Sequence, residues 1–340
     1  MSRIGVVIIG RNEGQRLNRC LETLLQRAPE STHMVYVDSG STDDSVALAR
    51  GLGIDVVELD RSAPFTMARG RNAGIEHLLT KVAQIELIQF IDGDCEIQPG
   101  WIEIAAATLN DNGKLAVVAG RCRERSAEKS IYNRLIDMEC GAVVGPARSC
   151  GGIAMMRLRA LSQVGHFNAA MICGEEPELC VRLCLAGWSV YRVDAEMALH
   201  DAAMTRFGQW WTRAVRGGWA YAEGAAMHGR TSLRHNRRES ASVWMWGGVL
   251  PLVILLCGYP TRGWSLLLLL GYVVLALCIY RRRLGRGDQR SHAIAYAFFG
   301  TIDKFPRMIG QIRYHLNRWR GKQATIIEYK PVPAERLECP

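Results

Sequence analysis

A handful of carboxylates and one imidazole define the chemistry open to this chain. Asp92 and Asp94 bracket a glycine at the end of the apolar run LIQFIDGDCEIQPGW. Carboxylates there are costly unless a cation or a donor network meets them. Two residues apart, they project to the same side of an extended segment, and Gly93 lets a ligand approach the backbone. Such oxygen donors can hold Mg²⁺ or Mn²⁺, with diphosphate and water completing the shell. Asp-Gly is also ordinary turn chemistry, so the pair gains meaning from its neighbours.

Those neighbours follow other apolar runs. Asp38 closes MVYVD and precedes SGSTDDS. Gly40 permits a tight turn there, and Ser41 or Thr42 can cap a helix whose first turn holds Asp43 and Asp44. Capping accounts for Asp43 and Asp44. Asp38, at the strand end, can accept from a base N–H or from sugar hydroxyls. Asn12 and Glu13, in GRNEGQ, share that edge and serve either the turn or a bound donor. Arg71, in MARGRNAG, stands near a helix start that already favours anions and could reach a diphosphate; for Arg69 a surface ion pair suffices. Glu175 and Glu176 lead into the helical pattern ELCVRLCLAGW. Acidic residues there complement the helix dipole. Two adjacent ones face different ways, so one can point into a cleft as general base. His200 ends MALH and could be a neutral metal ligand or an ordinary histidine. Trp211, Arg213 and Arg216, in TRFGQWWTRAVRGGW, suit either an acceptor or diphosphate site or an amphipathic helix near a membrane.

Positioning these groups falls to alternating elements. GVVIIG, MVYVD, IDVVEL, LIQFID and KLAVVAG read as strands, separated by segments with apolar residues at helical spacing. That alternation predicts an α/β fold with a largely parallel central sheet and flanking helices. Ligands of such sheets sit beyond the carboxyl ends of the strands, where GRNEGQ, DSGSTDDS and DGD all lie.

From Val243 the character changes. VWMWGGVLPLVILLCGY and WSLLLLLGYVVLALCIY are uncharged runs of seventeen residues each, separated by PTRG. Each is long enough to cross a hydrocarbon core of about 30 Å, which predicts a transmembrane hairpin over 243–280. Arg234, Arg237 and Arg238 precede it, and Arg281, Arg282, Arg283 and Arg286 follow it. The positive-inside tendency then places both flanks, and the N-terminal domain, on the cytoplasmic face. Residues 226–242 read as a basic linker and 281–340 as a basic amphipathic interfacial segment with a tail. Between Arg281 and Lys322 eleven Lys or Arg face only Asp288 and Asp303, a surplus of +9 that equals the whole net charge. Beside a hydrophobic hairpin, that block suits an anionic leaflet better than nucleic acid. The eleven cysteines show no CxxC pair or zinc spacing, which fits reduced thiols in the cytosol. Strand-like RIGVVIIG begins at once, so no signal peptide is expected. No GxGxxG follows the first strand, which argues against a dinucleotide-binding oxidoreductase.

The ordered set VVIIGRNEGQRLNRCLETL, VDSGSTDDS, ARGRNAG, FIDGDCEIQPGW, GEEPELCVRLCLAGW and ALHD resembles family 2 glycosyltransferases of the GT-A fold, over about residues 3–220. The resemblance implies a catalytic domain over 1–225 that takes a nucleoside-diphosphate sugar, a UDP-sugar by expectation. Asp38 would contact the base, Asp92 the ribose or diphosphate, and Asp94 a divalent metal supported by His200. Glu176 would match the aspartate of the family's Glu-Asp pair, the catalytic base; here the pair is Glu-Glu, so Glu175 stays open for that role. The Gln-x-x-Arg-Trp motif of processive members is absent, since Gln209 is followed by Trp-Trp-Thr-Arg. Inverting transfer of one sugar to a lipid-linked glycan acceptor is therefore expected. The alternative is a non-catalytic, membrane-tethered module that binds nucleotide sugar.

Overall fold

The computed structural model describes residues 3–82, 84–140 and 143–322, with 325 and 327. The tail expected beyond residue 327 lies outside the described residues. The chain divides into two compact units, one built from Met1–Ala127 and Ile136–Ala203, the other from Glu128–Leu135 and Met204–Tyr329.

The first unit holds the sheet. Its strands are β1 (Ile4–Gly10), β2 (His33–Asp38), β3 (Asp55–Glu58), β4 (Leu87–Asp92), β5 (Cys95–Ile97), β6 (Leu115–Glu124), β7 (Gly145–Ala147), β8 (Ala154–Arg157) and β9 (Ser189–His200), ordered β3-β2-β1-β4-β8-β6-β9-β5 with β7 also on β9. The half containing β3, β2, β1 and β4 is parallel. Its inner strands β2, β1 and β4 read as near-continuous apolar runs because both faces are covered: Val6, Val7, Ile8, Val35, Val37, Ile88 and Phe90 are fully buried. The other half is mixed. β8 runs antiparallel to both β4 and β6, and β5 and β7 run antiparallel to β9. The sheet is therefore less parallel than the strand–helix alternation predicts. Strands as short as AMMR and CEI carry too few residues to show a period.

The second unit is helical. Arg237–Trp244 runs through a π-helical turn, Met245–Val249, into Leu250–Gly258; Trp264–Leu269 and Leu270–Leu284 likewise form one rod. Both rods, Arg237–Gly258 and Trp264–Leu284, are long and apolar enough to cross a membrane. Only 11% and 6% of their most apolar stretches are buried, so neither rod is packed as a core helix within this chain. The helix Lys304–Trp319 buries Met308, Gly310, Gln311 and Tyr314 against Phe207–His228 and Arg237–Trp244. A Cβ on Gly218 would lie 2.0 Å from the Arg307 carbonyl, and one on Gly310 2.0 Å from that of Val215. The sequence reading ends the catalytic domain at residue 225, whereas the first unit ends at Ala203. The reason is this backbone-to-backbone packing, which ties Phe207–His228 to a helix nearly ninety residues later.

Candidate active site

Strand register assembles the site. Gly10 of β1 pairs with Asp38 of β2, and Ile9 pairs with Asp92 of β4. Two carboxylates thus flank the end of the central strand. Cys95 of β5 and Glu124 of β6 both pair with His200 of β9, so His200 arrives between Asp94 and Glu124.

Asp38 is buried and fully engaged. Its Oδ2 accepts from the backbone of Gly40 and Ser41 at 2.9 and 2.8 Å; its Oδ1 accepts from the Tyr36 and Ser41 hydroxyls at 3.0 and 2.5 Å. Burial, then the Asp38 charge, push the Tyr36 phenol up. Asn12 sits at φ 53°, with Oδ1 accepting from Thr42 N at 2.7 Å and its own N–H donating to Ser41 Oγ at 2.9 Å. The two loops are therefore laced into one ledge, and Asp43 joins by accepting from Gly14 N. Glu13 is buried and pairs with Arg16 at 2.8 Å. The helix that follows starts at Ser45 with Asp44 at its N-cap, so Ser41 and Thr42 do not cap it and Asp43 and Asp44 precede its first turn instead of lying in it. Arg69 clamps the carbonyls of Ala63, Pro64 and Asp60 in place of an ion pair.

Arg71 is the fully buried hub of the next group. Its Nη1 donates to Glu175 Oε1 at 2.6 Å, and its Nη2 to Asp92 Oδ1 at 3.0 Å and to the Gly152 carbonyl at 3.3 Å. This guanidinium is spent on two carboxylates, so it holds them together where the sequence reading aims it at a diphosphate. Asp92 alone keeps a wet edge, with 35% of its side chain exposed. Gly152 has to be glycine: a Cβ there would lie 2.8 Å from both Asp92 Oδ2 and Arg71 Nη2.

Asp94 is buried, its Oδ2 3.4 Å from His200 Nε2, while His200 Nδ1 lies 3.2 Å from Glu124 Oε2. Burial alone would push the His200 imidazolium down; Asp94 and Glu124 outweigh it and hold it well above its ordinary value. Glu124, 0% exposed in its side chain, also accepts from Ala202 N at 3.1 Å. A carboxylate behind a histidine fixes its tautomer and ring orientation. The Asp94 oxygen on the β4–β5 turn and, once its proton is displaced, the His200 nitrogen on β9 could together hold a divalent cation.

Glu176 lies behind Glu175 on the first turn of Glu175–Leu185, which Gly174 at φ 77° turns into the sheet. Its Oε1 accepts from Cys150 N at 2.6 Å, Cys150 Sγ at 2.9 Å and Cys180 Sγ at 3.0 Å; Oε2 accepts from Gly151 N at 3.0 Å. Burial raises the Glu176 carboxyl above its ordinary range, and the Cys150 and Cys180 donors only partly offset this. Glu178 and Arg182 close the helix with a pair at 2.8 Å.

Residues 5–169 match the sequence profile of Glycosyl transferase family 2. This chain carries a family 2 glycosyltransferase domain. Glycosyltransferase AglE of Haloferax volcanii is similar, at 24% identity over 73% of this chain and 81% of that protein. The uncharacterized glycosyltransferase YibD of Escherichia coli K12 shares 29% identity over 30% of this chain and 29% of its own. Among solved structures, the mannosyltransferase PcManGT from Pyrobaculum calidifontis, in complex with GDP-Man and Mn²⁺, superposes with a TM-score of 0.57 at 17% identity, covering 87% of this chain and 86% of that one. S. aureus TarS 1-349 superposes at 0.53 with 15% identity and 92% coverage of both chains. At such identity these two speak for the fold, which is GT-A.

Within the glycosyltransferase domain the register gathers Asn12, Glu13, Asp38, Arg71, Asp92, Asp94, Glu175, Glu176 and His200 along the strand ends of one sheet. Trp211, Arg213 and Arg216 lie on Phe207–His228, in the other unit. Trp211 stacks at a tilt on Phe207 with centroids 5.7 Å apart, and both arginines are half-buried. Glu124 and the Cys150–Gly152 loop escaped the sequence reading. Glu124 ends a strand run whose sequence signal stops at Gly120, and a two-residue pattern continued through RCRE was the only available cue.

Proposed function

We propose that the glycosyltransferase domain transfers one sugar, with inversion, from a nucleoside-diphosphate sugar to a hydroxyl of a lipid-linked glycan acceptor, with Glu176 as base. The observation that carries this reading is Glu176 itself, a buried carboxylate at a helix start whose proton affinity is lifted toward working pH. Glu176 takes the acceptor's hydroxyl proton. The acceptor oxygen attacks the anomeric carbon from the face opposite the diphosphate, and the bond from that carbon to the departing oxygen breaks. Glu175, locked on Arg71, orients Asp92 at the wet edge, where Asp92 meets ribose or diphosphate. Asp38 and the Asn12–Thr42 ledge bound the base end of the donor. Asp94 and His200 would hold Mn²⁺ or Mg²⁺, which when bound neutralises charge on the leaving diphosphate. PcManGT, of the same fold, was solved with GDP-Man and Mn²⁺, which supports a diphosphate donor and a divalent ion.

Membrane attachment rests on the two exposed apolar rods, and a lipid-linked acceptor is the substrate such attachment favours. The basic flanks orient the domain toward the cytoplasm. Trp211, Arg213 and Arg216 are assigned to the acceptor or its diphosphate. A donor-binding module without turnover is the second reading, favoured by the four donors that enclose Glu176. Release of nucleoside diphosphate on adding acceptor and Mn²⁺ separates the two. Release under those conditions establishes transfer; donor binding without release establishes the module.

A further inference from the structure

Cys150, Cys180 and Glu176 converge in a way transfer chemistry does not require. The two Sγ atoms are 4.0 Å apart, and each lies about as far from Glu176 Oε1 as a hydrogen bond, 2.9 and 3.0 Å. All three residues are buried. Zinc binds thiolate sulfur at ~2.3 Å with tetrahedral angles, which sets two such sulfurs ~3.8 Å apart. The sulfurs already stand at that spacing, and opening the two S···O distances by about half an ångström would admit an ion bound to carboxylate oxygen at ~2.0 Å. Cys150 lies on the loop before β8 and is followed by Gly151 and Gly152, with Gly151 at φ 81°. That loop can yield where the helix bearing Cys180 cannot.

We infer that Cys150, Cys180 and Glu176 form a site for a thiophilic divalent cation of the Zn²⁺ class, and that its occupancy switches off sugar transfer. The inhibitory part rests on Glu176 being the base. Two sulfurs and one carboxylate select soft or borderline metals, whereas Asp94 and His200 offer oxygen and nitrogen to Mn²⁺ or Mg²⁺. Binding is linked to loss of both thiol protons. Hard cations gain little from sulfur and so do not offset that loss. Three protein ligands leave a fourth position open, as in exchangeable rather than structural zinc sites. Once ligated, Glu176 can no longer accept a proton.

The test is Co²⁺ titration of the full chain in detergent, carrying Asp94→Asn to suppress the oxygen–nitrogen site. A saturable thiolate-to-cobalt absorption, displaced by Zn²⁺, is expected. Losing a ligand should weaken binding by at least the ~10- to 100-fold typical of losing an outer partner, so Cys150→Ser and Cys180→Ser should each remove the band at the same Co²⁺ concentration. Cys95 adjoins Asp94 and is the other thiol near a carboxylate and an imidazole in this site. A band that survives both serine variants, or vanishes with Cys95→Ser, overturns the assignment, as does the absence of any thiolate band. Cys180→Ser and Cys180→Ala on the otherwise native chain should still bind Mn²⁺ by paramagnetic resonance, which shows that they fold. On that background Zn²⁺ added over excess Mn²⁺ should slow the parent at least tenfold and Cys180→Ser less than twofold; equal slowing of both refutes the switch. The cobalt readout needs no turnover, so a cobalt band together with a parent chain, Asp94 intact, that transfers no sugar counts against the proposed function and leaves the site standing.

Discussion

The two units solve opposite problems of burial. The sheet unit hides charge: Arg71, Asp94, Glu124, Glu175 and Glu176 are all buried, and each meets donors or a counter-ion. The helical unit exposes apolar surface: Leu255 and Trp264 are 77% and 73% exposed, and Leu252 and Val273 more than half. Buried charge without partners is costly, and so is apolar surface left in water. The first is offset inside the protein, the second only by something outside it. The contrast teaches that one unit satisfies its buried charges internally while the other leaves apolar surface for something outside the chain to cover.

The sharpest way to break the sheet unit is at its least ordinary carboxylate. Glu176→Gln keeps the shape and removes the proton acceptor. Loss of a positioned base costs about 10²- to 10⁴-fold, so kcat should fall by that much while donor affinity, measured calorimetrically, stays within a factor of a few. Parental turnover would move the base to Glu175. Glu175→Gln should behave differently, since it unpairs Arg71 and so disturbs Asp92 and donor binding as well.

The helical unit is challenged by putting charge where the apolar run is centred. Leu252→Lys or Val273→Lys should cost about 3 kcal/mol of insertion free energy, on the order of 10²-fold in partition. Membrane fractionation of full-length protein would show it as release or degradation. Unchanged membrane recovery for both variants would mean that these rods do not span. The same substitutions should leave the secondary structure of the sheet unit intact, which circular dichroism would register.

How much of this was legible beforehand differs between the units for a physical reason. Two apolar runs of seventeen residues announce two long apolar rods, and no tertiary contact is needed to read them. The parallel strands were legible because burial on both faces makes them continuous. Asp38 and Asp92 could be placed at strand ends, with Asp94 just beyond, because each closes an apolar run. What stayed hidden depends on register. Nothing in RCRE says that its glutamate will pair with His200 some 76 residues later. That Arg71 would turn inward to Glu175 was equally invisible, because a guanidinium at a helix start serves an anion or a carboxylate equally well.

A smaller effect is expected from that hidden residue. Glu124→Gln retains an acceptor for Ala202 N but weakens the hold on His200, and changes to such outer partners cost about 10- to 100-fold in metal affinity. Mn²⁺ binding followed by paramagnetic resonance should weaken by that factor, with transfer recovered at raised Mn²⁺. Equal affinity in parent and variant would reduce Glu124 to a structural brace for the loop after β9.

The smallest effect is a displacement on the pH axis, and it tests whether hidden charge in the sheet unit is tuned as well as tolerated. As the proposed base Glu176 would work only when unprotonated, and burial raises its carboxyl. Activity is therefore lost as pH falls through a value above the ordinary glutamate range, so the acid limb of kcat/KM should lie above that of an exposed glutamate. The Cys180 thiol opposes this shift by donating to the carboxylate. Cys180→Ala removes that donor, so the limb should move further up while the plateau at alkaline pH changes little. A limb that stays where it is in Cys180→Ala would mean that the thiol has no bearing on the proton of Glu176, and one that moves down would mean that the thiol raises rather than lowers its proton affinity.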